Sequence, residues 1–215
     1  MGEINTYDEF GETIIDIVRK NNLQTILEIG SWDGTGSTQC FIEALKTAKS
    51  PRLVCIELRK ERFEDLKNNT KQYPWVECVN ISTISKHTFI HSNFDEIWNS
   101  SYNKIENKDK RVVHSWYEDD MNEVFKFETG FLDNDTSFYD GVLIDGGEFF
   151  GYSEYKLVKD RTNVLFLDDY YNAFKTNQVA RELLEDSDWE VIAGNKHWRN
   201  GYAVFRRKNF LECKK

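Results

Sequence analysis

Proline is scarce, with two in 215 residues, and neither a low-complexity segment nor an internal repeat appears. These absences remove linkers and arrays from consideration, so a single domain over residues 1–215 is expected. Cysteine is sparse too. Cys40, Cys55, Cys78 and Cys213 are widely spaced without a CxxC pair, which excludes a zinc knuckle and a disulfide framework. Reduced thiols fit a cytoplasmic setting. Basic charge falls short, 28 Lys and Arg against 37 Asp and Glu, and the net charge of −9 excludes a dedicated nucleic-acid surface. No apolar run approaches the roughly 18 residues of a membrane span. The opening "MGEINTYDEF" is too acidic and polar for a signal peptide. His87, His91, His114 and His197 are scattered and lack an H-E-x-x-H frame.

What is present is a globular composition, 40% hydrophobic and 14% aromatic. Thr6 to Glu9 reads as a capping box ahead of Phe10, Ile14, Ile17 and Val18 at helical spacing. "QTILEIG" (24–30), "RLVCIEL" (52–58) and "WVECVNIS" (75–82) read as strands. Between them lie helical patterns at 37–48, which Ser37 or Thr38 can cap, and after residue 58. Residues 83–137 are less regular. Weak helices are expected near 93–100 and 119–127, around the polar "YNKIENKDKR". Strand and helix then alternate again: "YDGVLID", "SEYKLVKD", "NVLFLDD", "NQVARELLED", and last "WEVIAG" and "YAVFRRK" around Asn200-Gly201. The alternation predicts an α/β, doubly wound, Rossmann-like and mostly parallel seven-stranded sheet, with an antiparallel C-terminal hairpin at one edge.

"LEIGSWDGTGST" (27–38) joins the first strand to its helix. Gly30 turns the chain, and Gly34 and Gly36 let backbone approach a ligand at the helix start. Glu57 ends the second strand where an acid meets a ribose diol. Glu28, Glu57, Asp145, Asp168 and Asp169 all fall at strand C-termini, where open α/β sheets bind ligands. A nucleoside site is expected. A dinucleotide fingerprint fits poorly, since Gln39 stands where its last small residue belongs.

"ILEIGSWDGTGST" resembles motif I of class I S-adenosylmethionine-dependent methyltransferases. "YDGVLIDGGEFFGY" and "VLFLDDYY" resemble the stretches at strands four and five in metal-dependent small-molecule and sugar O-methyltransferases of the catechol and caffeoyl-CoA type. The resemblance spans most of 24–207 outside 83–137. It implies an O-methyltransferase that takes S-adenosylmethionine through Glu28, Gly30, Ser31, Gly34, Ser37, Glu57, Asp145 and, for adenine, Ser82. "VKDRTN" stands where the family has P-G-G, and Glu148 where it often has His. Residues 83–137 would be a substrate-side insertion.

Methyl transfer to oxygen needs an aligned acceptor and a base or cation to sharpen its nucleophilicity. Asp145, Glu148 and Asp169 are the catalytic candidates. The relatives place a divalent cation, Mg²⁺ or similar, on the acids matching Asp145, Asp168 and Asp169. Against this, Asp169 can cap the following helix, Asp168 can be solvated, and Glu148 can be a loop acid. Trp116, Tyr117, Phe149, Phe150, Tyr152, Tyr170 and Tyr171 are expected at the active rim, suiting a sugar or glycan first and a phenol or catechol second. An oxidoreductase or hydroxylase on the same scaffold, and a non-catalytic cofactor-binding partner protein, are the rivals. Association with further copies of the chain stays open.

Overall fold

Asp8, not Thr6, starts the first helix. The computed structural model describes residues 4–91, 93–103, 105 and 108–211. In it α1 spans Glu9–Lys20, and Asp8 accepts from the N–H of Gly11 at 2.8 Å and of Asn5 at 2.7 Å. Both Asp8 oxygens thereby satisfy donors that a threonine hydroxyl could meet only singly. Phe10, Ile14 and Val18 form its buried stripe, as the spacing predicts. β1 (Thr25–Ile29), α2 (Ser37–Leu45), β2 (Arg52–Ile56), α3 (Lys60–Thr70) and β3 (Val76–Val79) follow.

The middle segment is more helical than its sequence suggests. α4 covers Phe94–Trp98, α5 Lys110–Val124 and α6 Phe131–Asn134. α5 begins nine residues before the expected start, within the stretch read as polar loop; residues 104, 106 and 107 of that stretch lie outside the description. Only Val113, Met121 and Val124 are buried along it, too thin a stripe to stand out as periodicity, and Asp109 caps it by accepting from Arg111 N–H. β4 (Tyr139–Ile144), α7 (Gly151–Val158), β5 (Thr162–Leu167), α8 (Asn177–Glu185), β6 (Trp189–Asn195) and β7 (Tyr202–Arg207) complete the order.

The seven strands among the described residues lie in the order β3-β2-β1-β4-β5-β7-β6. β1 to β5 pair in parallel, and β7 runs antiparallel between β5 and β6. The predicted doubly wound sheet with a reversed C-terminal hairpin is thus observed. Side-chain alternation divides two cores. Ile26, Leu53, Leu143 and Phe166 face α1 and α2, while Leu27, Val54, Ile144 and Leu167 face α7 and α8. A third cluster joins Phe94, Val113, Met121 and Val124 of the middle segment to Phe149, Phe150 and Phe174, in the loops after β4 and β5. The segment is thereby held over the C-terminal ends of the strands.

Cys40 and Cys55 are buried free thiols and Cys78 is a half-buried one; Cys213 lies outside the described residues. His87 and His91 do not share a helix. Among the described residues no helix is long and apolar enough to cross a membrane.

Candidate functional site

β1 sends its chain toward β2, and β4 sends its chain toward β5, so their C-terminal ends diverge beside one another. This is where a crevice opens in a doubly wound sheet. A cavity of about 400 Å³ occupies it, within the range of small-molecule sites. Gly30, Ser31, Ser37, Glu57, Ser82, Asp145, Asp168 and Asp169 all line it. Glu28, Gly34 and Glu148 do not.

Gly30 adopts φ +86°, and a Cβ there would stand 2.2 Å from the carbonyl oxygen of Asp145. The first glycine turn and the β4 acid are therefore built against each other. Gly30 and Ser31 both donate N–H to Ile56 O at 3.1 Å, tying the turn to β2. Gly34, also at positive φ, packs instead against Leu66 and Thr70 of α3.

Glu28 corrects an expectation. It is fully buried, and its two oxygens accept from Ser37 Oγ at 2.6 Å and Thr38 Oγ1 at 2.7 Å. These hydroxyls do not cap α2. Gly36 is the N-cap, and among the described residues no side chain caps the helix. Burial pushes the Glu28 carboxyl up despite the hydroxyls. It is a strut between strand and helix, not a wall of the cavity.

Glu57 does face the cavity. Its oxygens accept from the N–H of Trp32 at 3.0 Å and of Arg59 at 2.8 Å. Each oxygen retains a lone pair for a ligand donor. Burial raises its pKa, opposed by the Arg59 N–H and the charge of Arg62. Arg62 stacks over the half-exposed Trp32 ring at 3.1 Å, forming one lip.

At the far end Asp145, Asp168 and Asp169 present oxygens that all lie within 4.8 Å of one another. The acids are already paired. Lys175 Nζ lies 2.8 Å from Asp145 Oδ1 and 2.7 Å from Asp169 Oδ2. Arg199 Nη2 lies 2.7 Å from Asp168 Oδ2. Asp169 is at φ +54° and accepts from Asn200 Nδ2 at 3.0 Å. It does not cap α8, whose N-cap is Thr176, and Asp168 is buried, not solvated. Burial pushes Asp145 and Asp168 up, the latter well above the carboxylate range with the charge of Asp145 added. At Asp169 burial acts the same way, but Lys175 and Asn200 outweigh it and hold the carboxyl low.

A divalent ion does not fit this arrangement. Mg²⁺ binds oxygen at about 2.1 Å and would have to share the space between Asp145 and Asp169 with the Lys175 ammonium. Glu148 is turned elsewhere. Its Oε1 accepts from Phe174 N–H at 2.7 Å and Lys175 N–H at 3.4 Å, so it is neither a solvated loop acid nor a wall of the cavity.

Among the lining residues that were not expected are Asp120, Glu154, Arg59 and Lys175. Burial raises Asp120 to about 6, partly offset by Arg59 at 3.9 Å. Glu154 of α7 is buried, accepts from Thr83 Oγ1, and has its Oε2 without a hydrogen-bond partner among the described residues. Burial lifts it to about 7. The aromatic rim is mostly packing. Phe149 and Phe150 are buried, Tyr117 packs on Phe149, and Tyr152 bonds Glu182; of the seven named, Phe150 lines the cavity.

No protein-family model matches this chain, and no curated protein matches it by sequence. Solved structures match it by fold. An SAH-bound methyltransferase of Podospora anserina is 14% identical, with 92% of this chain and 77% of that one covered at a TM-score of 0.55. An O-methyltransferase of Bacillus cereus in complex with SAH is 12% identical over 92% and 80%, with a TM-score of 0.57. An O-methyltransferase of Streptomyces achromogenes involved in tomaymycin synthesis, in complex with SAM, is 15% identical over 92% and 78%, with a TM-score of 0.56. The chain has the Rossmann-like fold of these methyltransferase structures.

Proposed function

We propose that this protein transfers a methyl group from S-adenosylmethionine to a hydroxyl of a small acceptor. The observation that carries the reading is one cavity running from Glu57 and the glycine turn to the acids after β4 and β5. Glu57 accepts the ribose hydroxyls. The uncapped start of α2, with Gly36 and Ser37 on the cavity wall, receives the methionine carboxylate. Ser82, Thr83 and Glu154 form a polar end suited to the adenine edge. The structures of similar fold that hold SAH or SAM support the same use of the crevice.

At the acidic end the acceptor oxygen attacks the methyl carbon in line. The O–C bond forms, the C–S bond breaks, and its electron pair stays on sulfur as a neutral thioether. The acceptor proton passes to Asp145 or Asp169, which line the cavity and are held by Lys175. Glu148, expected as a base, orients the Phe174–Lys175 backbone instead. The remaining wall carries Asp120 and Arg59 among aliphatic side chains, with Trp32 and Phe150 as its aromatic faces, which favours a sugar or glycan hydroxyl over a phenol. A methyl-label transfer assay over sugars, glycans and catechols tests the reading. Label on a sugar hydroxyl is expected, and no transfer to any hydroxyl would overturn it.

A further inference from the structure

The geometry points to Lys175 as the resident cation of this site: its ammonium occupies the place between Asp145 and Asp169 that a divalent metal would need, and so excludes one. The two N–O distances, 2.8 and 2.7 Å, are those of charge-assisted hydrogen bonds, and the Lys175 side chain is only 11% exposed. The lysine is also anchored from behind. Glu148 Oε1 accepts from its backbone N–H and from that of Phe174. Thr176 Oγ1 donates to Asp168 O at 2.6 Å, and Asn177 Nδ2 donates to Tyr170 O at 2.8 Å. The loop is thus tied to the end of β5 just past the lysine and to the loop after β4 at the lysine itself, and Phe174 is buried in the third core cluster.

Charge balance agrees. Lys175 and Arg199 already bring two positive charges to the three acids, so a divalent ion added beside them would make the cluster net positive. A metal added to the paired acids would also meet the like charge of the ammonium across the same two carboxylates. Two of the three ammonium N–H donors go to Asp145 and Asp169, and Lys175 lines the cavity. The third donor is there to meet the acceptor oxygen and favour its anionic form. This last consequence rests on the methyl-transfer reading; the exclusion of metal does not.

Mn²⁺ titration followed by electron paramagnetic resonance tests it on the full chain without any cofactor. The wild-type protein is expected to leave the free Mn²⁺ signal unchanged, with no site tighter than about 1 mM. Lys175→Ala should bind one Mn²⁺ per chain at least about tenfold tighter than that. Lys175→Ala with Asp169→Asn should lose the site again. If Lys175→Ala folds only when refolded with Mn²⁺, that dependence is the same result. A wild-type Mn²⁺ site that Asp169→Asn abolishes, or a folded Lys175→Ala that binds none, would overturn the inference. Since neither arm uses S-adenosylmethionine, a failed transfer assay with Mn²⁺ still excluded would count against the proposed function alone.

Discussion

Gly30 and Asp145 interlock: a Cβ on the glycine would stand 2.2 Å from the aspartate's carbonyl oxygen. The contact joins the turn after β1 to the start of the acidic loop, so the two ends of the cavity share one backbone junction. Gly30→Ala would meet both the clash and a φ of +86°. A loss of more than about 2 kcal/mol in urea unfolding is expected. A loss under about 0.5 kcal/mol would mean that the two loops are not in contact.

Glu28 on β1 and Glu57 just past the end of neighbouring β2 have opposite duties. Glu28→Ala strands the buried hydroxyls of Ser37 and Thr38 and should cost about 1–3 kcal/mol of stability. Glu57→Gln turns its NH2 against the N–H of Trp32 or Arg59 and should cost about 1 kcal/mol of stability, while SAH affinity falls about tenfold or more through the lost charge-assisted bonds. Parallel urea unfolding and calorimetry separate the two. A Glu57→Gln variant with wild-type affinity would remove that acid from the cofactor site.

Glu154 makes stability depend on pH. Its carboxyl ordinarily titrates at 4.5, and burial moves it to about 7 in the folded chain. The native state therefore holds its proton over a range where the unfolded chain has released it. Its contribution is full below about 4.5 and is lost as pH rises through about 7. The penalty above that range is on the order of 3 kcal/mol. Glu154→Gln should thus gain on the wild type by that amount between pH 5 and pH 8. Parallel unfolding profiles for the two proteins would refute the assignment.

Glu148 separates positioning from proton transfer. Its Oε1 holds Phe174 and Lys175 N–H, and a glutamine oxygen accepts from them equally well. Glu148→Gln should keep its rate within a few-fold, whereas Glu148→Ala should lose about tenfold through a loosened Lys175. Removal of a general base would cost about 10²–10⁴ in both variants. The Gln rate therefore decides between the two roles.

Much of this was legible in the sequence, for a local reason. Strand and helix periodicity, the glycines after β1 and the acids at strand ends are encoded within a few residues, and the fold followed from them. Glu57, Asp145 and Asp169 line the cavity. The partners of the acids were not legible. Lys175 reaches Asp145 across 30 residues and Arg199 reaches Asp168 across 31, and no periodicity reports such pairs. Lys175, six residues past Asp169, was the one available hint, since a buried run of acids requires a counter-charge. Glu28 misled because its strand-end position matches a ligand acid while the pleat points it at α2. Glu154 gave no signal, being one polar residue among the apolar positions of a short helix.

The central claim is that the crevice between β1 and β4 is built for S-adenosylmethionine. Calorimetric titration with SAH and with NAD, on the wild type and on Glu57→Gln, tests it most directly. The account predicts one SAH per chain, affinity reduced about tenfold or more in the variant, and no heat from NAD. NAD binding without SAH binding, or SAH binding indifferent to Glu57, would contradict it.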